Sequence, residues 1–266
     1  METEAVIDTH LFVIGPNNSG STLLRTLIET GSQCLTLPME GQHVPGFIGP
    51  SSRGTGTRLI WASRPEWVSA FRDPSAYDWS KTRRAWALQA RNRADDQKSP
   101  SRILVTSSPP FLLIVDQLRA QFPDARFIFL ARNPYAAIEG IVRRANQQPL
   151  APGEDIAKIA ATHIGKSLHQ QAINIDQHAD LSVSMTYEDL CENPEAAAAK
   201  IEDLAPELGS INFAKRVQVK GQPLGAIVNN NNKQIARLTA KEIKDANAVL
   251  SKFGGTLAKF GYQLAS

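Results

Sequence analysis

Cysteine is scarce in this chain. Cys34 and Cys191 are the only two in 266 residues, and no C-x-x-C pair occurs. That excludes a disulfide framework and a zinc knuckle as sources of stability. No apolar run approaches the ~20 residues a membrane span requires. The first ten residues, METEAVIDTH, are acidic and carry no apolar signal core. The expectation is a cytoplasmic protein without membrane attachment. An excess of one charge is also lacking: 29 Lys and Arg face 26 Asp and Glu, and a net charge of +3 does not mark a nucleic-acid binder. A chain this long buries roughly 70–75% of the surface its unfolded form exposes, so no metal staple is needed.

What is present begins with LFVIG, residues 11–15, a short apolar run ending in glycine that reads as a buried strand. STLLRTLIETG follows, with Leu23, Leu24, Leu27 and Ile28 at helical spacing and Gly31 as the stop. Between them lies GPNNSGST, residues 15–22, close to the phosphate-cradling pattern G-x-x-x-x-G-K-[ST]. Gly15, Gly20 and Thr22 are in register, but Ser21 stands where the lysine belongs. A glycine turn feeding a helix presents backbone N–H groups and the positive end of the helix dipole, enough to hold one phosphate or sulfate. Ser19, Ser21 and Thr22 add hydroxyl donors. The competing reading is a plain strand-to-helix turn whose serines cap the helix.

RILVTSS (102–108) and RFIFLAR (126–132) read as further strands, with a helix over FLLIVDQLRAQF between them. This β-α-β unit favours a parallel sheet. Pro134 opens another helix, 154–178 is largely helical, and LSVSMTYEDL (181–190) reads as a fourth strand running into a turn. Helices follow from Pro194 and from a Thr239 cap. The stretch from about 38 to 80 is dense in Gly, Pro and Ser and should be irregular. Its aromatics, Phe47, Trp61, Trp67, Phe71, Tyr77 and Trp79, either stack on an acceptor or anchor a lid in the core. KTRRAWALQARNRAD (81–95) reads as a basic amphipathic helix, and NNNN (229–232) is the one low-complexity scrap. The reading is a single α/β domain over residues 1–266, with a lid or acceptor loop at about 38–80 and a helical C-terminal part.

Taken with FPDARFIFLARNPYAAIEGIVRR and TYEDLCENPEAAAAKI, the loop resembles that of the sulfotransferases that use 3′-phosphoadenosine 5′-phosphosulfate, over roughly residues 11–205. The resemblance implies a P-loop-like three-layer α/β/α fold with a central, mainly parallel sheet. It implies sulfuryl transfer from that donor to a hydroxyl or amine, leaving adenosine 3′,5′-bisphosphate, with no metal. Asn18, Ser19, Gly20, Ser21 and Thr22 would contact the 5′-phosphosulfate, and Arg132 would bind the 3′-phosphate at the other end. The alternative for Arg132 is a salt bridge at the sheet rim. A serine often found eight positions after that arginine is Gly140 here, whose N–H remains, with Arg143 or Arg144 one turn on to supply charge. Tyr187 takes the place of an aromatic near the adenine, or is a core tyrosine at a strand end.

Glu40 resembles the glutamate used as base in tyrosylprotein and several bacterial sulfotransferases. His43, with an unperturbed pKa near 6.5, is the competing base. Two departures stand out: Asn18 replaces a usual cation, and Ser107, in SSPP, replaces a lysine that neutralises the transferring group. Either neutral donors (Asn18, Ser107, Ser108) substitute, or a lid arginine (Arg53, Arg58, Arg64) swings in, or nucleotide binding is poor. The rival functions are a catalytically impaired nucleotide-binding module and another phosphate-loop phosphotransferase, for which neither the lysine nor a Mg²⁺ carboxylate is apparent. The acceptor is expected to be a small molecule, and the sequence leaves the oligomeric state open.

Overall fold

The structure, a computed structural model, describes residues 7–31, 33–53, 59–94, 102–214, 216 and 225–265. Of the lid arginines, Arg58 and the side chain of Arg53 lie outside the described residues. Five strands, β1 (Thr9–Ile14), β2 (Cys34–Thr36), β3 (Ile103–Ser107), β4 (Ala125–Ala131) and β5 (Ser182–Thr186), form one sheet in the order β2-β3-β1-β4-β5. Every pairing is parallel, so all five C-terminal strand ends share one edge. In open sheets of this kind that edge is where ligands bind.

The helices are α1 (Ser21–Ile28), α2 (Pro65–Arg72), α3 (Trp79–Arg93), α4 (Val115–Gln121), α5 (Pro134–Val142) and α6 (Ile156–Gln177). After them come α7 (Tyr187–Glu192), α8 (Pro194–Leu204), α9 (Asn231–Ile235), α10 (Ala240–Leu250) and α11 (Gly254–Lys259). Successive strand residues point to opposite faces. Leu11 and Val13 pack with Leu24, Leu27 and Ile28 of α1 and Ile201 of α8, whereas Phe12 and Ile14 belong to the cluster holding Trp86 of α3 and Leu118 of α4. A third cluster joins α5, α6 and α10 through Ile138, Ile164 and Leu250.

Two local expectations change. The turn expected after β5 is the short helix α7, because Thr186 and Asp189 form a reciprocal capping box that nucleates it. The helix before β4 is confined to α4, since Pro109–Leu113 winds as a tight 3₁₀ turn first. The 38–80 stretch resolves its own alternative. Phe47, Trp61, Phe71 and Trp79 are buried, and Trp67 and Tyr77 pack against the core, so these rings anchor the segment. Further ties come from Trp86 Nε1, which donates to the Gly41 carbonyl at 3.0 Å, and from the Gln42 N–H, which donates to Ser108 Oγ at 3.0 Å. Gly41 lies so close to Trp86 and Thr106 that a Cβ there would stand 2.9 Å from each. Among the described residues no helix is long and apolar enough to cross a membrane.

Candidate anion and acceptor site

The glycine loop leaves β1 at Ile14 and enters α1 at Ser21. Gly15 has no room for a side chain: a Cβ would lie 2.4 Å from the Leu130 carbonyl oxygen. Asn18, at φ 65°, and Gly20, at φ 97°, are both left-handed, which glycine and asparagine tolerate best. This backbone carries the chain round so that α1 points its amino end at the strand edge.

The serines do not cap that helix. No side chain accepts a hydrogen bond at the α1 N-terminus and its first turn holds no acid. α2, α4, α9 and α11 share this uncapped start, whereas α3, α5, α6, α7, α8 and α10 are capped by Asp78, Asn133, Asp155, Thr186, Asn193 and Thr239. Ser19 is buried and its Oγ has no hydrogen-bond partner. Uncapped amides next to an orphaned buried hydroxyl leave donors unsatisfied, a state that proteins avoid unless another group completes it.

Strand register brings the remaining residues to the same place. Ile14 pairs with Phe129, so Arg132, just beyond β4, emerges beside the loop rather than remote from it. Its Nη1 donates to the Asn18 carbonyl at 3.0 Å. Ala131 pairs with Thr186, which places Tyr187 next to Arg132 across the β4–β5 boundary. The guanidinium carbon lies 4.0 Å from the Tyr187 ring centroid, and the same ring covers Gly20, whose Cβ would lie 2.7 Å from it. Tyr187 OH is taken up by the Val228 carbonyl at 2.9 Å. The rim salt bridge expected as the alternative for Arg132 does not form among the described residues. Its other donors go to Asn231 Oδ1, at 2.8 Å, and Gln234 Oε1. Burial holds Arg132 below the usual arginine range, opposed by Tyr187 and Glu188.

Arg144 brings a guanidinium to Asn18, the position expected to lack a cation. It reaches back from the end of α5, with Nε on the Gly140 carbonyl at 2.7 Å and Nη2 on Asn18 Oδ1 at 2.5 Å. Asn18 Nδ2 donates to the Ala137 carbonyl at 3.0 Å, and a Cβ on Gly140 would stand 2.7 Å from that nitrogen. Gly140 is therefore required for the Asn18 side chain to lie flat on α5. Arg143 turns to Glu139 instead, at 2.9 Å. A third arginine, Arg25 of α1, donates to the Met39 carbonyl at 2.7 Å, next to Glu40. Burial and Arg93 lower its pKa, against the pull of Glu29 and Glu40.

Glu40 follows β2 on the same edge. Its Oε2 accepts from Gln42 Nε2 at 3.1 Å and lies 3.8 Å from His43 Nε2. Both candidate bases are thus adjacent and reach solvent. Ser107 ends β3 opposite Val13 and is buried at 2% exposure. Arg64, expected as a possible mobile cation, is held by both oxygens of Glu154 at 2.6 and 2.7 Å.

Sequence reasoning passed over the support beneath the loop. Asn17 Oδ1 accepts from Trp61 Nε1 at 2.7 Å and from His163 Nε2 at 3.1 Å. His163 Nδ1 accepts the Ala62 N–H at 3.0 Å, which assigns the proton to Nε2. Burial pushes this imidazole down to about 3, so it is neutral. Asn17 was visible within the quoted loop, but its partners lie 44 and 146 residues away and carried no motif. Asn231 and Gln234 were hidden in the polar run that composition alone dismisses.

The family model described as "Sulfotransferase family" matches residues 10–205. No curated protein matches the sequence. Among solved structures, the sulfotransferase domain from the Synechococcus PCC 7002 olefin synthase superposes with a TM-score of 0.62 at 20% identity, covering 98% of this chain and 97% of that one. The sulfotransferase domain from the curacin biosynthetic pathway gives 0.57 at 21%, covering 98% and 100%. A sulfotransferase from Mycobacterium avium gives 0.56 at 15%, covering 98% and 79%. At these identities the likeness is one of fold, and it confirms the P-loop-like α/β architecture.

Proposed function

Because this chain belongs to the sulfotransferase family, whose chemistry is sulfuryl transfer, we propose that it takes the group from 3′-phosphoadenosine 5′-phosphosulfate. The acceptor would be a hydroxyl or amine of a small molecule. The observation that carries the donor reading is the uncapped amino end of α1 beside the partnerless Ser19 Oγ. These donors suit a tetrahedral anion, and the crowding at Gly15 and Gly20 fixes the loop that presents them. Ser19, Gly20, Ser21 and Thr22 would hold the 5′-phosphosulfate, with Arg144 adding charge through Asn18. Arg132 would meet the 3′-phosphate and Tyr187 would flank the nucleoside, whereas the N–H of Gly140, expected to contribute, lies inside α5 where the helix itself uses it and the Asn18 side chain covers that face.

The donor supplies a sulfuryl group whose S–O bridge to the 5′-phosphate is the bond to break. Glu40 accepts the proton of the acceptor O–H or N–H as the new bond to sulfur forms, and His43 shares its oxygen's surroundings. The loop amides and serine hydroxyls, including Ser107 at the end of β3, stabilise charge on the sulfuryl oxygens and on the departing phosphate. Calorimetry with adenosine 3′,5′-bisphosphate tests the donor site. Binding to the wild type is expected to survive in Glu40→Gln, while bisphosphate release in the presence of donor and an acceptor panel falls by ~100-fold or more. A wild type that binds no bisphosphate overturns the donor reading. A Glu40→Gln protein that turns over normally removes only the assignment of the base.

A further inference from the structure

The polar run 229–234, NNNNKQ, delivers two amides to the arginine that faces the loop. Asn231 Oδ1 takes Arg132 Nε at 2.8 Å, and Gln234 Oε1 takes Nη2. The amide nitrogens of both residues face outward onto carboxylates. Asn231 Nδ2 donates to Glu188 Oε1, and Gln234 Nε2 donates to Glu139 Oε2 at 3.0 Å. The carboxylates are themselves fixed. Glu188 accepts the Asn133 N–H and the Tyr262 hydroxyl, each at 2.9 Å, and Glu139 is bound by Arg143 at 2.9 Å and Arg237 at 3.3 Å.

A carboxamide presents an acceptor at one end and donors at the other, without carrying charge. Here that polarity is used twice, on two sides of one guanidinium. Each carboxylate stands one amide removed from Arg132 instead of pairing with it. Three of the five guanidinium N–H groups are occupied by neutral oxygens, those of Asn18, Asn231 and Gln234. Two remain, and among the described residues no carboxylate pairs directly with the guanidinium.

Resting on the donor reading above, we propose that Asn231 and Gln234 are positioning residues that hold the Arg132 fork in one orientation while keeping its charge uncompensated for the 3′-phosphate. A carboxylate at either place would orient the fork equally well, but it would form a buried ion pair and compete with the incoming anion. The amides therefore set specificity for a nucleotide that carries a 3′-phosphate.

Exchanging amide and carboxylate within each pair tests this at constant net charge and nearly constant volume. The swaps are Asn231→Asp with Glu188→Gln, and Gln234→Glu with Glu139→Gln. Each puts the carboxylate directly on Arg132. Calorimetric Kd values are measured for adenosine 3′,5′-bisphosphate and for adenosine 5′-monophosphate, which lacks the 3′-phosphate. The swapped proteins should lose ~10- to 100-fold in affinity for the bisphosphate and less than about threefold for the monophosphate. Two swaps on different partners mean that a folding failure in one leaves the other to decide. Bisphosphate binding within about twofold of the wild type, or equal losses for both nucleotides, overturns the inference while the donor reading stands. A wild type that ignores the bisphosphate removes the donor reading itself, and this inference with it.

Discussion

The arginines around the glycine loop and those at the periphery are treated in opposite ways. At the periphery Arg64 pairs with Glu154 at 2.6 Å, Arg102 with Asp8 at 3.0 Å, Arg119 with Asp180 at 3.2 Å and Arg126 with Glu207 at 2.5 Å. Around the loop, the guanidinium groups of Arg25, Arg132 and Arg144 hydrogen-bond only to carbonyl and amide oxygens among the described residues. Burial pulls all three below the usual arginine range. A half-buried guanidinium bonded only to neutral oxygens is costly, which is the arrangement the proposed nucleotide would relieve. A net charge of +3 gives no hint of this, because it counts charges without their partners. The difference shows that the acids near the loop, Glu40, Glu139 and Glu188, are held by other partners and do not pair directly with these three arginines among the described residues.

The comparison breaks first at Arg132. Its replacement by alanine should weaken bisphosphate binding by at least ~100-fold, read by calorimetry, because a desolvated charge-assisted contact is lost. Arg144→Ala should cost ~10-fold in the same measurement, since Arg144 acts through Asn18, and unchanged binding would leave the loop without its proposed substitute cation. The buried imidazoles sharpen the picture through pH. His163 is lowered by burial, and His10 by burial and then Arg83, in each case from 6.5 to about 3. Both are neutral when folded and protonate below about 6.5 once unfolded. Stability should therefore fall as pH drops from about 6.5 toward 3, by about 1.4 kcal/mol per pH unit for each. Urea midpoints at pH 7, 6 and 5 check the slope, and His163→Asn should flatten it. At the far end, Arg119→Ala should change unfolding free energy by less than ~0.5 kcal/mol and leave nucleotide binding unaltered, as its pair with Asp180 is exposed.

Much of this site was legible in one dimension because its parts follow strands directly. GPNNSGST after β1, Glu40 after β2, Ser107 at the end of β3 and Arg132 after β4 all occupy C-terminal strand ends, and a parallel sheet gathers such ends by its topology. Helix starts at Pro134, Pro194 and Thr239 were likewise written locally, in φ restriction and capping chemistry. The capping role first weighed for the loop serines was not realised, because Asn18 and Gly20 turn left-handed and Ser19 is drawn into the interior. The lid aromatics could not be assigned from sequence, since stacking on a ligand and anchoring in a core require the same residue types.

Local sequence, then, determined the strand-turn-helix frame, the parallel character of the sheet and the glycine turn of the first loop, because each follows from short-range sterics and apolar period. Only the tertiary structure decided which cations reach that loop and which are paired with carboxylates elsewhere. Arg144 reaches Asn18 from 126 residues away, and Asn231 and Gln234 reach Arg132 from 99 and 102. Such pairings depend on where side chains end in space, and no periodicity or spacing along the chain encodes that.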